Sequence, residues 1–485
     1  MRKLIIAAAA AATLATLGLT ATAQAQSATP HRVAATAKKT VFAGIPASIK
    51  LTNPGGTSTK CTVKVTGLPG PVTAGTASSV NKGCTVEIEG VFPTPGTKTI
   101  TIKFTAGGTT TTTILSVTIL SKPCENDAVG VGSDTITPLT DQLATDYNNT
   151  LAARTACNTK VPAKPFEASW DAINPITGQI NDSIPEKSGC PSIGRPNGSS
   201  AGIAQLATFN KDADKKFLCT NFARSSRGRS SSDPSFGPGG VAFVALAGDA
   251  VSWSVPAVNT AAPASLTPAQ LASIFTCAVT NWNQVGGGNQ AIAAFLPQNG
   301  SGTLSFWETA LGITPGPCVS NAGNTLEENE GVNPVLNNPG AIFIYSVGDY
   351  IAQKFHADKC LKTACTANAS GVICKKTPDK VQFWCDVHGT MTPGKINGIA
   401  PTTGSGGSTK INPAFPATFD RTLFNVVPFD PATSDHIPGA SSPVGGLPLK
   451  GIFGAGGYDC ANATAKADIT KYGFVTLGLN CGTTS

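Results

Sequence analysis

Two regimes of hydrophobic spacing divide the chain. From about residue 30 to 122, apolar and polar positions alternate with period two, as half-buried strands require. Cys61-Thr62-Val63-Lys64-Val65 and Cys84-Thr85-Val86-Glu87-Ile88 show the alternation, and so do Ile100, Ile102 and Phe104, then Leu115, Val117 and Ile119. The turns Pro54-Gly55-Gly56, Pro69-Gly70, Pro95-Gly96 and Gly107-Gly108 interrupt these runs at short intervals. About seven short strands in this stretch predict an all-β, immunoglobulin-like sandwich over residues 26–122. Cys61 and Cys84 share the phase of the inward apolar residues. A bridge between them is therefore expected, worth about 3 kcal/mol through loop closure.

Beyond Cys124 the period changes to that of helices alternating with buried apolar runs, which predicts an α/β unit over residues 123–485. Thr137-Pro138 places a cap before Pro at the first helical position, with Leu139, Leu143 and Tyr147 on one face. Thr267-Pro268 repeats the device before Leu271, Ile274 and Phe275. Asn197-Gly198-Ser199-Ser200 precedes Ile203 and Leu206, and Asn299-Gly300-Ser301-Gly302-Thr303 precedes Leu304, Trp307 and Leu311. Val241–Leu246 and Ala341–Tyr345 read as buried strands, and Trp253, Trp282 and Trp307 as core.

The first 25 residues set the compartment. Arg2 and Lys3, an apolar run from Leu4 to about Leu19 and Ala23-Gln24-Ala25 have the layout of a cleavable signal peptide over residues 1–25. No later segment is apolar enough to span a membrane, since Val241–Val258 contains Asp249. The mature protein is expected to be periplasmic or extracellular. With 14 cysteines in an oxidising compartment, disulfides are the expectation, and Cys277–Cys318 and Cys460–Cys481 are further candidate pairs. Cys360, Cys365, Cys374 and Cys385 lack the short paired arms of a zinc ribbon, so they too read as disulfide cysteines. Charged residues make up only 13% of the chain and the net charge of +7 is dispersed, which argues against nucleic acid as a partner.

The candidate chemistry is anion capture. A helix N-terminus offers free backbone N–H groups and a partial positive charge, glycine lets the backbone come close, and Ser or Thr adds hydroxyl donors. The Gly198-Ser199-Ser200 and Gly300-Ser301-Gly302-Thr303 loops have this composition, and Arg224-Ser225-Ser226-Arg227 between them offers guanidinium groups. Catalysis is not indicated. The four histidines, His31, His356, His388 and His436, form no metal-ligand pair, and no nucleophile elbow is present. No metal and no cofactor are expected.

Several motifs taken in order carry a family resemblance. Gly132-Ser133-Asp134-Thr135, Gly198-Ser199-Ser200-Ala201-Gly202, Phe222-Ala223-Arg224-Ser225-Ser226, the run Leu266–Phe275, Thr280-Asn281-Trp282, Asn299–Thr303 and Asn338–Ile342 with Tyr345 resemble the phosphate-binding proteins of ABC transporters. The likeness is to a divergent secreted subgroup, spans roughly residues 126 to 360 and excludes the β-rich part. It implies a two-lobed type II periplasmic-binding fold with the ligand in the cleft. It also implies contacts from Asp134, Thr135, Ser199 or Ser200, Ser225, Ser226, Ser301, Gly302 and Thr303. Two positions depart from the family pattern. Pro297 stands where phosphate binders have an Arg, and Ser226 where they have the Asp that accepts the proton of phosphate and so rejects sulfate. Arg224 and Arg227 are candidates to restore positive charge.

The function so implied is capture of phosphate or a related oxyanion by an exported solute-binding protein, without covalent chemistry. An ABC permease or a cell-envelope component would be its partner. The alternative is an extracellular interaction protein that keeps the fold without transport, and a secreted phosphatase comes third.

Overall fold

The structure is a computed structural model. It describes residues 32–485 apart from 54–60, 71, 75–77, 81–82, 107–108, 158–163, 176, 178, 181, 356–364, 369–370, 377–379, 382–387, 440–441 and 443–446. The segment 1–25 expected to be a signal peptide, His31, His356, Cys360 and Cys385 lie outside the described residues, as do the Pro54-Gly55-Gly56 and Gly107-Gly108 turns and the side chains of Cys365 and Cys374.

The period-two alternation becomes strands β1 (Arg32–Phe42), β2 (Pro46–Asn53), β3 (Cys61–Thr66), β4 (Val72–Ala74), β5 (Ser78–Val80), β6 (Gly83–Val91), β7 (Gly96–Ala106) and β8 (Thr109–Leu120). One sheet has the order β1-β8-β7-β3, with β1 parallel to β8; the other has β2-β6-β4, with β5 also paired to β6. The inward positions Ile100, Ile102, Phe104, Leu115, Val117 and Ile119 share one core with Ile49, Val86 and Ile88 of the second sheet. Cys61 on β3 and Cys84 on β6 bridge the two sheets. The expected strand-rich unit is therefore present as two sheets around a common core.

The strand-rich unit packs against the α/β part of the chain. Phe42 and Ile45 share a hydrophobic cluster with Val129, Val131, Phe166 and Trp170. Thr40 Oγ1 donates to the Arg154 carbonyl at 2.8 Å and accepts from the Arg154 N–H at 2.8 Å.

The α/β part contains β9 (Ala128–Gly132), α1 (Thr137–Asn149), β10 (Glu167–Ser169), α2 (Ser199–Leu206), β11 (Phe222–Ser225), β12 (Val241–Val255), α3 (Pro268–Phe275), β13 (Ala293–Phe295), α4 (Gly302–Leu311), β14 (Ala341–Ser346), α5 (Val347–Phe355) and β15 (Asp420–Pro428). Its main sheet has the order β10-β9-β11-β15-β12-β14-β13. The long strand β12 joins the two lobes. Its residues 241–250 pair with β15 in the first lobe, and its residues 251–254 pair with β14 in the second. The second lobe closes around Trp253, Trp282, Trp307, Phe275 and Ile344, so the three tryptophans are core, as expected. Separate clusters around Phe222 and Val427, Leu139 and Leu423, and Ile203 and Phe243 fill the first lobe.

Local signals mostly hold. Thr267 caps α3 in a capping box with Gln270. At α1 the cap is Ile136, and Thr137 lies inside the helix, where its hydroxyl donates to the Ser133 carbonyl at 3.0 Å. Pro138 falls in the first turn, where its missing N–H costs nothing. Cys277–Cys318 and Cys460–Cys481 are paired, together with Cys124–Cys157 and Cys190–Cys219, which spacing did not single out. Among the described residues no helix is long and apolar enough to cross a membrane.

Candidate functional site

The site is built where the end of β9, the end of β11 and the N-termini of α1, α2 and α4 meet. Glycines permit the approach. Gly198, at φ +91°, has no room for a Cβ, which would lie 2.5 Å from the Gly300 carbonyl oxygen. A Cβ on Gly302 would sit 2.2 Å from Ser199 Oγ and 2.4 Å from Ser226 Oγ. Gly302→Ala is therefore expected to push these two serines apart and to lower stability by about 1–3 kcal/mol in urea unfolding. An unchanged midpoint would show that the serines move freely.

A hydroxyl cluster fills the junction. Ser133 Oγ donates to Ser226 Oγ at 3.1 Å, and the Ser226 N–H donates to Ser199 Oγ at 3.0 Å. Beside it lies a carboxylate that the sequence reading did not single out. Glu328 accepts from the Thr135 N–H at 3.2 Å and the Thr135 hydroxyl at 2.5 Å through Oε2, and from the Thr303 N–H at 3.3 Å through Oε1. Because Thr135 gives its proton to Glu328, the 3.2 Å contact between the threonine hydroxyls has Thr303 as donor. Arg421 Nη1 donates in turn to Thr303 Oγ1 at 2.9 Å and to the Ser226 carbonyl at 3.1 Å. An ordered chain thus runs from the Arg421 guanidinium through two hydroxyls to a carboxylate. Arg421 is held by Asp249, with Nε and Nη2 at 2.9 and 2.7 Å from the same carboxylate oxygen.

The structure thus brings Thr135, Ser199, Ser226, Gly302 and Thr303 together, with Ser133 added. Ser301 caps α4, its Oγ accepting the Leu304 N–H at 3.0 Å. Four other expected contacts are engaged elsewhere. Arg224 is fully buried and gives its donors to the Ser133, Gly132 and Trp170 carbonyls and to Ser169 Oγ. Arg227 forms a two-pronged pair with Asp233 at 2.6 and 2.9 Å and reaches Ser200 Oγ at 3.1 Å, on an open groove beside α2. Ser225 Oγ donates to the Arg227 carbonyl at 2.8 Å.

The site is acidic. Burial pushes the Asp134 carboxyl up to about 7, with Glu328 adding to the shift and Arg224 opposing it. Burial, reinforced by Asp134, pushes Glu327 up to about 9, against the hydrogen bonds it accepts from Asn197 Nδ2. Asp349 is also raised well above the usual carboxylate range, first by burial and then by Asp249 and Asp134. Among the described residues no group of His, Cys, Asp or Glu is arranged to hold a metal ion.

Two of the missed groups had different visibility. Glu327-Glu328-Asn329-Glu330 is an acidic knot in a chain that is only 13% charged, a signal that was there to find. Arg421 is one cation on a strand and carries no local mark.

Residues 170–381 match the family model described as a PBP superfamily domain. No curated protein sequence matches the chain. Among solved structures, an ABC-type phosphate transport receptor from Vibrio cholerae is 18% identical, with a TM-score of 0.39, covering 72% of this chain and 99% of its own. A phosphate ABC transporter substrate-binding protein with bound phosphate from Clostridium perfringens is 14% identical at 0.39, covering 72% and 99%. A phosphate-binding protein from Stenotrophomonas maltophilia is 11% identical at 0.35, covering 73% and 91%. With scores this low, the fold assignment rests on the sheet order and the matched segment. The match over residues 170–381 and the sheet order thus support the two-lobed type II periplasmic-binding-like fold that the order of the motifs had implied.

Proposed function

We propose that the protein is an exported solute-binding protein that holds phosphate or a related oxyanion in its interlobe cleft, without covalent chemistry. The observation that supports this is the convergence of backbone N–H groups from both lobes, Thr135 and Thr303, on one anionic oxygen pair, with Arg421 feeding the same network. Such donors stabilise negative charge at helix N-termini. Export rests on the signal-like segment 1–25, and the reading takes residues 26–122 as one domain and 123–485 as the binding domain. An ABC permease or a cell-envelope component is the partner that fits.

Thermal unfolding of residues 26–485 with millimolar phosphate, sulfate or methylphosphonate tests the reading. A ligand at 100 times its dissociation constant adds about 2.7 kcal/mol of stability. The shift is expected to shrink in Thr135→Ala combined with Thr303→Ala, which removes both hydroxyls and leaves the two backbone N–H donors in place. Phosphate and sulfate are expected to act about equally, because Ser226 stands where a proton-accepting Asp would separate them. No shift with any of the three anions up to 100 mM, a range set at about 100 times a weak millimolar dissociation constant, in the wild type and in Glu328→Ala alike, would overturn oxyanion binding.

A second reading has one observation in its favour. The cleft donors already have an internal partner in Glu328, which suits an extracellular interaction protein that has kept the fold. Retention of residues 26–485 on isolated cell envelope, insensitive to phosphate, is the result that reading expects.

A further inference from the structure

We propose that Glu328 is a resident ligand of the interlobe cradle, a tethered carboxylate that must leave before a free oxyanion can enter. This rests on the oxyanion reading of the cleft. Three features of the structure carry it.

The first is saturation. Glu328 takes the Thr135 N–H, the Thr135 hydroxyl and the Thr303 N–H, which are the donors that a bound oxyanion would need. Each N–H has one proton to give, so a free anion and Glu328 compete for it. The second is reach across the cleft. Thr135 belongs to the loop entering α1 of the first lobe, and Thr303 to the first turn of α4 of the second. One carboxylate therefore ties the lobes together, the role a captured solute has in a protein that works by closure.

The third is presentation. The segment carrying Glu328 is held on both sides. The Gln298 N–H donates to the Leu326 carbonyl at 2.7 Å, and Asn197 Nδ2 donates to both oxygens of Glu327 at 3.1 and 2.9 Å. Asn329 adopts φ +58°, a left-handed conformation that Asn tolerates better than most residues. It is fixed there by the Ser346 N–H on its Oδ1 at 2.9 Å, by Gln353 Nε2 on its carbonyl at 3.0 Å, and by its own Nδ2 donating to Asp349 at 2.6 Å. Glu328 is thus aimed into the cradle by a built turn.

The consequence is competition inside the molecule. A site that is free only a fraction of the time shows an affinity lowered by that fraction. A carboxylate on a short, fixed tether also competes at high effective concentration. An incoming phosphate must further accept the neighbouring negative charge of Glu328 itself.

The test is a phosphate titration of residues 26–485, followed by thermal unfolding, for the wild type, Glu328→Ala and Glu328→Gln. Both variants are expected to reach their half-maximal shift at a phosphate concentration at least about tenfold below that of the wild type. Glu328→Ala is also expected to gain stability from acetate and formate, which refill the vacated position, while the wild type ignores them at equal ionic strength. Equal phosphate titrations in all three proteins would overturn the resident-ligand proposal and leave oxyanion binding standing. No response in any of them would overturn both. If Glu328→Ala folds only with help, recovery on refolding in acetate or phosphate, and not in chloride, supports the proposal. Recovery in none of these, with Glu328→Gln titrating like the wild type, overturns it.

Discussion

Arg421→Met is expected to destabilise the protein by about 3–5 kcal/mol, because it strands a buried carboxylate. Asp249 has no exposed side-chain surface and Arg421 has 1%. Besides the guanidinium, Asp249 accepts from Ser346 Oγ at 2.9 Å and from the Gly348 N–H at 3.0 Å, so it pins β12 to the turn between β14 and α5. Arg421 in turn ties β15 to the Ser226 carbonyl and the Thr303 hydroxyl. Losing the cation leaves Asp249 charged, buried and unpaired, and removes the donor that orients the Thr303 hydroxyl. Arg421→Lys is not expected to restore stability, since one ammonium cannot reach Asp249, Ser226 and Thr303 in the fork geometry of a guanidinium. The double variant with Asp249→Asn is expected to cost less than the sum of the singles, with a coupling of about 0.5–3 kcal/mol. Urea unfolding of the four proteins measures this. Strictly additive singles would mean that the ion pair has no energetic role.

The fold was legible where pattern and local chemistry agreed. The alternation through Ile100, Ile102 and Phe104 specifies which face of a strand is buried, and the Cys61 and Cys84 phase follows from the same arithmetic. Cys124–Cys157 and Cys190–Cys219 were not legible, because their halves lie in irregular loops with no periodicity to orient them. In the site, the glycine–hydroxyl loops were readable as such, since short backbone approaches demand Gly at positions like 198 and 302. Which hydroxyls turn inward was not. Ser199 and Ser200 are adjacent, yet one joins Ser226 and the other faces Arg227, a choice made by helical rotation of successive residues. The two arginines of the Arg224–Arg227 segment looked like anion partners. Arg224 is instead surrounded by the carbonyl ends of β9 and β10, and Arg227 has Asp233 a few residues on. The cation that does reach the site comes from β15, far along the chain, and only the tertiary fold brings it there.

Stability is expected to fall as pH rises from 5 to 7, opposite to the usual loss on acidification. Glu327 is 1% exposed and its carboxyl is pushed up to about 9 by burial and by Asp134, whereas an unfolded glutamate titrates near 4.3. Across this window the folded chain therefore binds a proton on Glu327 that the unfolded chain has lost. Stability falls with pH wherever the folded state holds more protons. At about 1.4 kcal/mol per pH unit, Glu327 alone accounts for about 3 kcal/mol over two units. Asp134, raised to about 7 by burial and Glu328, acts in the same direction through most of the window. Lys187, lowered by burial to about 7, carries its proton in both states until the top of the window, so its opposite contribution begins only above it. Glu327→Gln is the direct test, because glutamine has the shape and neutrality of the protonated acid and keeps an oxygen for Asn197 Nδ2. Urea midpoints should fall from pH 5 to 7 in the wild type and be much flatter in this variant. A wild-type midpoint that is level or rises over that range would mean that Glu327 ionises inside the fold. In that case Asn197 and Gln298, which donates to Asn197 Oδ1 at 3.0 Å, would be sufficient to hold a buried charge.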